Sequence, residues 1–315
     1  MTRENHNEIV ERIRRLLLTP DGKKKIRQRR SASARMARGL QGLEASGWVL
    51  KASRRQVGSD QTVFTVRQGS LQNSEKGLVV FVELCGNGVG TLLPPRSNRG
   101  YPILRTTEPD PRELEWAGRD AREYIRACSN MKQPSPERDL QGVILHDLLK
   151  SPKHELLRNL WPVRPANCLM EIPTAIQRRG QIGTGNIDLL VRTGRGRWPT
   201  FVICELKVDK TTPYDAMVQA IHYAVALDVE VNGIANEIEP ADRALYRFLL
   251  GSNSTAQDPL RIGAMAIIPN RPGVEKATHE ALDTLSANSS WLDVMLFDRG
   301  ENGEFRPVLR MRDVG

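Results

Sequence analysis

Apolar side chains recur at helical spacing near the start of the chain. Within residues 5–18, five of them share one helix face, opposite Glu and Arg side chains: Ile9, Val10, Ile13, Leu16 and Leu17. The sequence Thr-Pro-Asp-Gly at 19–22 predicts a break after this helix. A second, basic helix is expected from Lys23 to about Ala45, because Gly47 marks an end.

Short apolar runs separated by turn-forming residues follow, and they predict β-strands. In this part of the chain we expect strands at 48–51, 62–67 and 78–84. The segment 85–111, dense in Gly, Pro, Asn and Arg, is expected to form loops, and 112–128 a helix. Two prolines within 129–136 predict a linker. We therefore predict a smaller basic α+β domain at 1–130, similar in element order to winged-helix modules, and a second domain at 131–315.

The second domain alternates helical and extended patterns. Helices are predicted at 137–149, 152–160, 216–227, 241–250 and 274–286. Strands are predicted at 168–175, 187–192, 200–208, 262–268, 291–297 and 305–310. Helices interleaved with strands indicate an α/β fold.

The formal net charge of +9 is unevenly distributed along the 315 residues. Residues 1–68 contain 16 Lys or Arg against 6 Asp or Glu, whereas the rest of the chain is close to neutral. Such asymmetry favours a polyanionic partner, most often nucleic acid, although a solvated basic arm is the alternative. We predict phosphate contacts from the most crowded basic stretch: Lys23, Lys24, Lys25, Arg27, Arg29 and Arg30.

Hydropathy and cysteine spacing restrict the class of protein. No apolar run approaches the roughly 20 residues needed to cross a bilayer, so no membrane partner is expected. The chain opens without an apolar signal segment, which predicts a cytoplasmic protein. The cysteines include no Cys-x-x-Cys pair, which argues against a zinc site and a disulfide framework.

Charged residues interrupt two successive apolar runs in the second domain. Asp188 lies in one predicted strand, and Glu205 and Lys207 end the next. Because positions i and i+2 of a strand share a face, Glu205 and Lys207 point the same way. If the two strands are hairpin neighbours, Asp188 can lie opposite Glu205. Unpaired buried charge is costly, and a cation between the two carboxylates would compensate it; oxygen ligands of this kind suit Mg²⁺ or Mn²⁺.

The helix after these strands carries Gln219 and Tyr223 on one face, four residues apart. The ordered set of Gly-x-Ile-Asp, Glu-Leu-Lys and Gln-Ala-x-x-Tyr resembles the PD-(D/E)xK nuclease superfamily, and most closely its RecB-like and Holliday-resolvase-like branches. The resemblance covers residues 133–269. It implies a restriction-endonuclease-like αβββαβ core with a mixed sheet, and a metal-dependent nuclease activity.

The resemblance also implies a role for each matching residue. Asp188 and Glu205 would hold Mg²⁺ or Mn²⁺, and the backbone carbonyl of Leu206 would complete the inner shell. Lys207 would orient or help deprotonate the attacking water and would offset phosphate charge. Gln219 and Tyr223 would line the cleft and touch the substrate backbone or the water network.

Families of this kind often add a glutamate from the first core helix. Glu137, at the predicted start of that helix, is the favoured candidate, and Glu155 in the next helix is its rival. Glu171 on the first strand is a third candidate, for which an edge or surface role is favoured.

The sequence therefore predicts a phosphodiesterase that acts on DNA, with endo or exo cleavage undetermined and a basic N-terminal module that binds or recruits substrate. The alternative is a catalytically silent nucleic-acid-binding or assembly protein with the same fold. An RNA substrate and a homodimer both stay open.

Overall fold

The computed structural model describes residues 3–31, 140, 168–192, 201–242, 259–285, 292–299 and 305–312, and the backbone of five strands between 63 and 104. Within this described part, no helix has the length and hydropathy that crossing a membrane requires.

Two helices open the described chain. Helix α1 (His6–Leu18) begins after Asn5, whose side chain accepts from the Glu8 amide while the Glu8 carboxylate accepts from the Asn5 amide. This capping box gives partners to two amide groups at the helix start. Thr19 ends α1 in an extended conformation, and helix α2 (20–31) follows at once.

The corner between α1 and α2 confirms the predicted break at 19–22, but α2 starts earlier than Lys23. Proline is favoured in the first turn of a helix, and Pro20 takes that place. Gly22 allows the two helices to meet, since a Cβ there would lie 2.4 Å from the Leu16 carbonyl oxygen. The rest of the predicted second helix lies outside the described residues.

Five antiparallel strands form one sheet in sequence order. They are β1 (Val63–Arg67), β2 (Ser70–Glu75), β3 (Leu78–Cys85), β4 (Val89–Leu93) and β5 (Ile103–Leu104). The strands predicted at 62–67 and 78–84 are confirmed. The prediction of loops throughout 85–111 is wrong, because Val89–Leu93 pairs with β3 and Ile103–Leu104 extends the ladder. The strand predicted at 48–51 and the helix at 112–128 lie outside the described residues.

Six strands form a second, mixed sheet in the order β11–β10–β9–β8–β7–β6. They are β6 (Cys168–Ile176), β7 (Ile182–Arg192), β8 (Phe201–Leu206), β9 (Ile262–Pro269), β10 (Leu292–Arg299) and β11 (Phe305–Arg312). Strand β9 runs parallel to β8 and β10, and the other neighbours are antiparallel. The general α/β class is confirmed by this sheet and its helices.

Helix α3 (Pro213–Asn232) follows β8, and helix α4 (Val274–Leu285) connects β9 to β10. Apolar residues of α3 are buried on nearly every side because the helix packs on both the sheet and α1. The α1 stripe of Ile9, Ile13 and Leu17 is fully buried and joins the same core cluster as α3 and the strands.

The packing of α1 and α2 bears on how the chain is organised. Ile26 of α2 belongs to that core cluster too, so both helices share a core with residues beyond 168. The boundary predicted within 129–136 lies outside the described residues and stays a prediction.

Candidate active site

Asp188 lies where the pairing of β7 with β8 ends. The last pair of this antiparallel ladder joins Leu189 to Cys204, and the same register continues to Asp188 opposite Glu205. Here the Leu206 amide donates to Asp188 Oδ2 over 2.8 Å. The carboxylate therefore takes the place of a backbone acceptor, which fixes its position against β8.

Glu205 and Lys207 form an ion pair at the end of β8. Lys207 Nζ lies 2.5 Å from Glu205 Oε1, as expected for side chains at positions i and i+2 of an extended segment. The Lys207 amide continues the ladder beyond β8 by donating to the Ile267 carbonyl over 2.9 Å. Both the backbone and the side chain of Lys207 are thereby held in place.

These three charged residues are almost completely removed from solvent. Glu205 is 1% exposed, Lys207 4% and Asp188 7%. In many proteins, removing a buried ion pair from water costs more free energy than the attraction between its two charges restores. Stability alone therefore does not account for two carboxylates and an ammonium at this end of an apolar sheet.

The N-terminal half of α3 faces these charges. Thr212 caps the helix by accepting from the Asp215 amide over 3.1 Å, and Pro213 opens its first turn. One helical turn further on, Gln219 Nε2 donates to the Tyr223 hydroxyl over 3.1 Å, so both predicted cleft residues are buried and joined to each other.

Burial raises the pKa of Tyr223 far above its usual range, and the negative charges of Glu205 and Asp188 raise it further. The phenol consequently stays protonated at neutral pH. It can donate a hydrogen bond, but it is not a base.

Gly185 makes room for the Tyr223 ring. A Cβ at this position would lie 2.3 Å from the Ile176 carbonyl oxygen, 2.8 Å from Tyr223 Cε1 and 2.9 Å from its hydroxyl. Any larger residue would collide with backbone as well as with the ring. The glycine of the Gly-x-Ile-Asp motif thus admits the tyrosine of α3 against β7, three residues before Asp188.

A chain of polar contacts links α1, α3 and the turn between β6 and β7. Arg12 pairs with Glu4 at 2.8 Å and meets His222 Nε2 at 3.1 Å, while His222 Nδ1 lies 3.2 Å from the Arg178 carbonyl. Since a carbonyl only accepts, Nδ1 carries the proton and Nε2 accepts from Arg12. Burial, and then the Arg12 charge, lower the pKa of His222 from 6.5 to about 4.

The acid predicted from the first core helix lies outside the described residues, whether it is Glu137 or Glu155. Within the described ranges, no group of three or more His, Cys, Asp or Glu side chains is arranged so that it could hold a metal ion. Glu171 lies on β6, between the register pairs that join Met170 to Leu189 and Ile172 to Ile187.

The predicted basic cluster lies on α2, and its members Lys23 and Arg30 both contact residues beyond 229. Lys23 Nζ pairs with Glu237 at 2.9 Å. The Arg30 guanidinium donates to the carbonyls of Glu230 and Glu239, over 2.8 and 2.7 Å, and so binds α2 to the C-terminal end of α3. Lys24 and Arg27 are exposed. Phosphate contact by this cluster stays a prediction.

The donor set fits a divalent cation. Asp188 and Glu205 offer carboxylate oxygens from neighbouring strands, on the sheet face that Phe201 and Ile203 also use to pack against α3. Hard oxygen ligands of this kind suit Mg²⁺ or Mn²⁺. The side chain of Leu206 is buried, and its amide is already bound to Asp188.

Sequence reasoning identified the charged triad and the Gln–Tyr pair, but it missed Arg12, Arg178 and the space-making role of Gly185. Arg12 is a polar residue at the border of the apolar face of α1. Such residues are common in surface helices, so its position in the sequence does not mark it as functional. Comparison with protein-family profiles, curated proteins and solved structures finds no match to this chain.

Proposed function

We propose that this protein is a metal-dependent nuclease that hydrolyses phosphodiester bonds in DNA. The observation that carries the proposal is the burial of Asp188, Glu205 and Lys207 together at one edge of the sheet. The order of these residues, followed by Gln219 and Tyr223 on the next helix, resembles the PD-(D/E)xK superfamily and supports the same activity.

The proposed roles follow from charge and position. A Mg²⁺ or Mn²⁺ ion held by Asp188 and Glu205 would stabilise charge on the phosphate and activate a water for attack. Lys207 brings a fixed positive charge beside Glu205, where it offsets the charge of a phosphate and orients the water. Tyr223 stays protonated and donates a hydrogen bond, and Gln219 holds the phenol in place.

Asp188→Asn gives the sharpest test of this function. The asparagine oxygen can still accept from the Leu206 amide, so the fold should persist while one charged metal ligand is lost. We expect the rate of cleavage of labelled duplex DNA with Mg²⁺ or Mn²⁺ to fall by roughly a hundredfold or more. The reason is that a bound ion of this kind stabilises the transition state by several kcal/mol. Glu205→Gln and Lys207→Met should show losses of similar size.

Asp228→Asn is the matched control, because it makes the same chemical change on the last turns of α3, where Asp228 contacts Arg14 and Asn232. It should cleave at the wild-type rate.

Excess EDTA should abolish wild-type activity, and Ca²⁺ should support binding with little turnover. Wild-type activity in EDTA, or full activity of Asp188→Asn purified in parallel, would contradict the proposal. Binding without any cleavage of DNA or RNA would favour the catalytically silent alternative.

A further inference from the structure

Strands β6 and β7 extend beyond the end of β8 as a hairpin, and the turn that joins them lies past the sheet end at which Asp188 is placed. The Gln177 amide donates to the Gln181 carbonyl and the Gly180 amide to the Gln177 carbonyl, both over 2.8 Å, so three residues form the turn. Gly180 adopts a φ of +71°, a conformation that L side chains disfavour. Arg178 and Arg179 therefore occupy the apex, and both are exposed.

The backbone of this turn contacts residues of α1 and α3. His222 Nδ1 donates to the Arg178 carbonyl, and a Cβ on Gly180 would lie 2.8 Å from both Arg12 Nη1 and His222 Cε1. The turn backbone is thus docked on α1 and α3. Its two guanidinium groups extend from a fixed base, which lowers the entropy lost when they bind a ligand.

The segment 207–212 between β8 and α3 is fixed in a similar way, at the same sheet edge. Arg271 donates to the carbonyls of Asp209 and Thr211 over 3.2 and 2.8 Å. The Asp209 carboxylate accepts from the Thr211 amide over 2.9 Å and from its hydroxyl. Lys210 is the exposed residue within this loop, three positions after Lys207.

Positive charge dominates the two segments. Residues 176–187 contain two arginines and no acid, and 207–212 contain two lysines and Asp209 alone. Arg178 Nη2 donates to the Thr211 hydroxyl at 3.5 Å, so the apex of the turn lies beside this loop. Hydrogen bonds from Thr211 lower the pKa of Asp209, and the charges of Arg178 and Lys207 lower it further. Within the described ranges, Arg179 and Lys210 make no ion pair or side-chain hydrogen bond.

We propose that Arg178, Arg179 and Lys210 form a phosphate-binding rim that holds the polynucleotide backbone beside the bond to be cleaved. This inference rests on the proposed nuclease function and names the surface through which substrate reaches the site. Exposed cations on backbone-fixed turns suit a repeating row of phosphates. Contacts of this kind position a nucleic acid without reading its sequence.

The test measures binding separately from cleavage. Affinity for a fluorescent DNA duplex is followed by anisotropy in EDTA over a range of salt concentrations, for the full chain and for R178A/R179A/K210A. Each lost phosphate contact should reduce the slope of log affinity against log salt by about 0.9, so a decrease of roughly 2 to 3 is expected. Affinity at low salt should fall by roughly tenfold or more.

Arg261→Ala is the control for loss of positive charge alone. Arg261 is exposed at the opposite end of the sheet, where its carbonyl accepts from the Phe201 amide, about 20 Å from Leu206 by strand rise. It should leave the slope unchanged. The double variant R179A/K210A removes two side chains without described partners, so a fold defect in it is not expected. Its slope should decrease by about two-thirds as much as that of the triple variant, because two of the three proposed contacts are removed.

The outcomes separate the rim from the nuclease function. An unchanged slope in both rim variants would overturn the rim even if Asp188→Asn abolishes cleavage. A reduced slope in a protein that cleaves no substrate would support the rim and overturn the nuclease function. A slope that falls equally in Arg261→Ala would show general charge attraction and would also overturn the rim.

Discussion

His222 is held as a neutral imidazole between partners of opposite kind, the Arg12 guanidinium that donates and the Arg178 carbonyl that accepts. Burial disfavours the charged imidazolium, and protonation would also place a second positive charge beside Arg12. This is why the pKa of His222 lies near 4 rather than 6.5. The unfolded chain therefore binds more protons than the folded chain between these two values.

We expect the free energy of unfolding to decrease as pH falls from about 6.5 to about 4, and the contribution of His222 to be fully present above 6.5. The expected decrease from this residue is roughly 3 kcal/mol. This decrease is measured as the difference in the free energy of unfolding between wild type and His222→Asn, determined by urea unfolding at several pH values. His279→Asn, on the exposed face of α4, is the control. A difference that stays constant across this range would show that His222 is not the titrating group.

Individual residues differed in how far sequence predicted them. Asp188, Glu205 and Lys207 were found because charge in apolar strands is rare and because strand periodicity assigns each side chain to a face. The neutral state of His222 was not predictable, since it depends on Arg12, 210 residues away along the chain. Glu137 and Glu155 lie outside the described residues, so the role in the site predicted for one of them stays a prediction.

At the scale of elements, Gly185 determines how closely α3 approaches β7. We expect Gly185→Ala to lower the free energy of unfolding by about 1–3 kcal/mol, because the Ile176 carbonyl is backbone and cannot move aside. Urea denaturation measures the change. Gly183→Ala is a matched control on the same strand, since the three atoms nearest to its Cβ would all belong to the flexible Gln177 side chain. It should change stability by less than about 0.5 kcal/mol. Equal losses in the two variants would contradict the packing argument.

Elements with strong apolar patterns were predicted, and weakly patterned ones were not. Helix α1 and strands β8 and β9 follow clear periods or continuous apolar runs, and each lies within a few residues of its predicted bounds. Strand β2 has the polar sequence Ser-Leu-Gln-Asn-Ser-Glu, and it forms through pairing with β1 and β3 on either side. Such strands depend on tertiary context, which local propensity does not contain.

At the scale of the whole molecule, charge and hydrophobicity gave different indications about the first 31 residues. The surplus of Lys and Arg in residues 1–68 suggested a substrate-binding module separate from the catalytic part. The apolar stripe of α1 instead covers α3, a helix with buried residues on nearly every side. A helix of that kind needs a second covering layer besides the sheet. Basic residues on the outer faces of α1 and α2 remain available for other roles.

We therefore expect deletion of residues 1–31 to prevent stable folding of the C-terminal part. Ile9, Ile13, Leu17 and Ile26 are each at most 1% exposed, and burying such side chains contributes roughly 1.5–3 kcal/mol apiece. Their sum is comparable with the entire stability of a typical domain, about 5–15 kcal/mol. Limited proteolysis and near-ultraviolet circular dichroism of the truncated chain report the outcome. A well-folded truncated protein would show that α1 and α2 are dispensable for the core.

Point variants keep this prediction testable if the truncated chain is insoluble. In the full chain, Ile13→Ala should lower the free energy of unfolding by about 2–5 kcal/mol, because it leaves a cavity between α1 and α3. Arg15→Ala, on the exposed face of the same helix, should change it by no more than about 0.5 kcal/mol.

Since α1 also supplies Arg12 to His222, loosening α1 should disturb the β6–β7 turn. Loss of DNA binding by Ile13→Ala at temperatures where the protein is still folded would therefore connect core packing to the phosphate-binding rim.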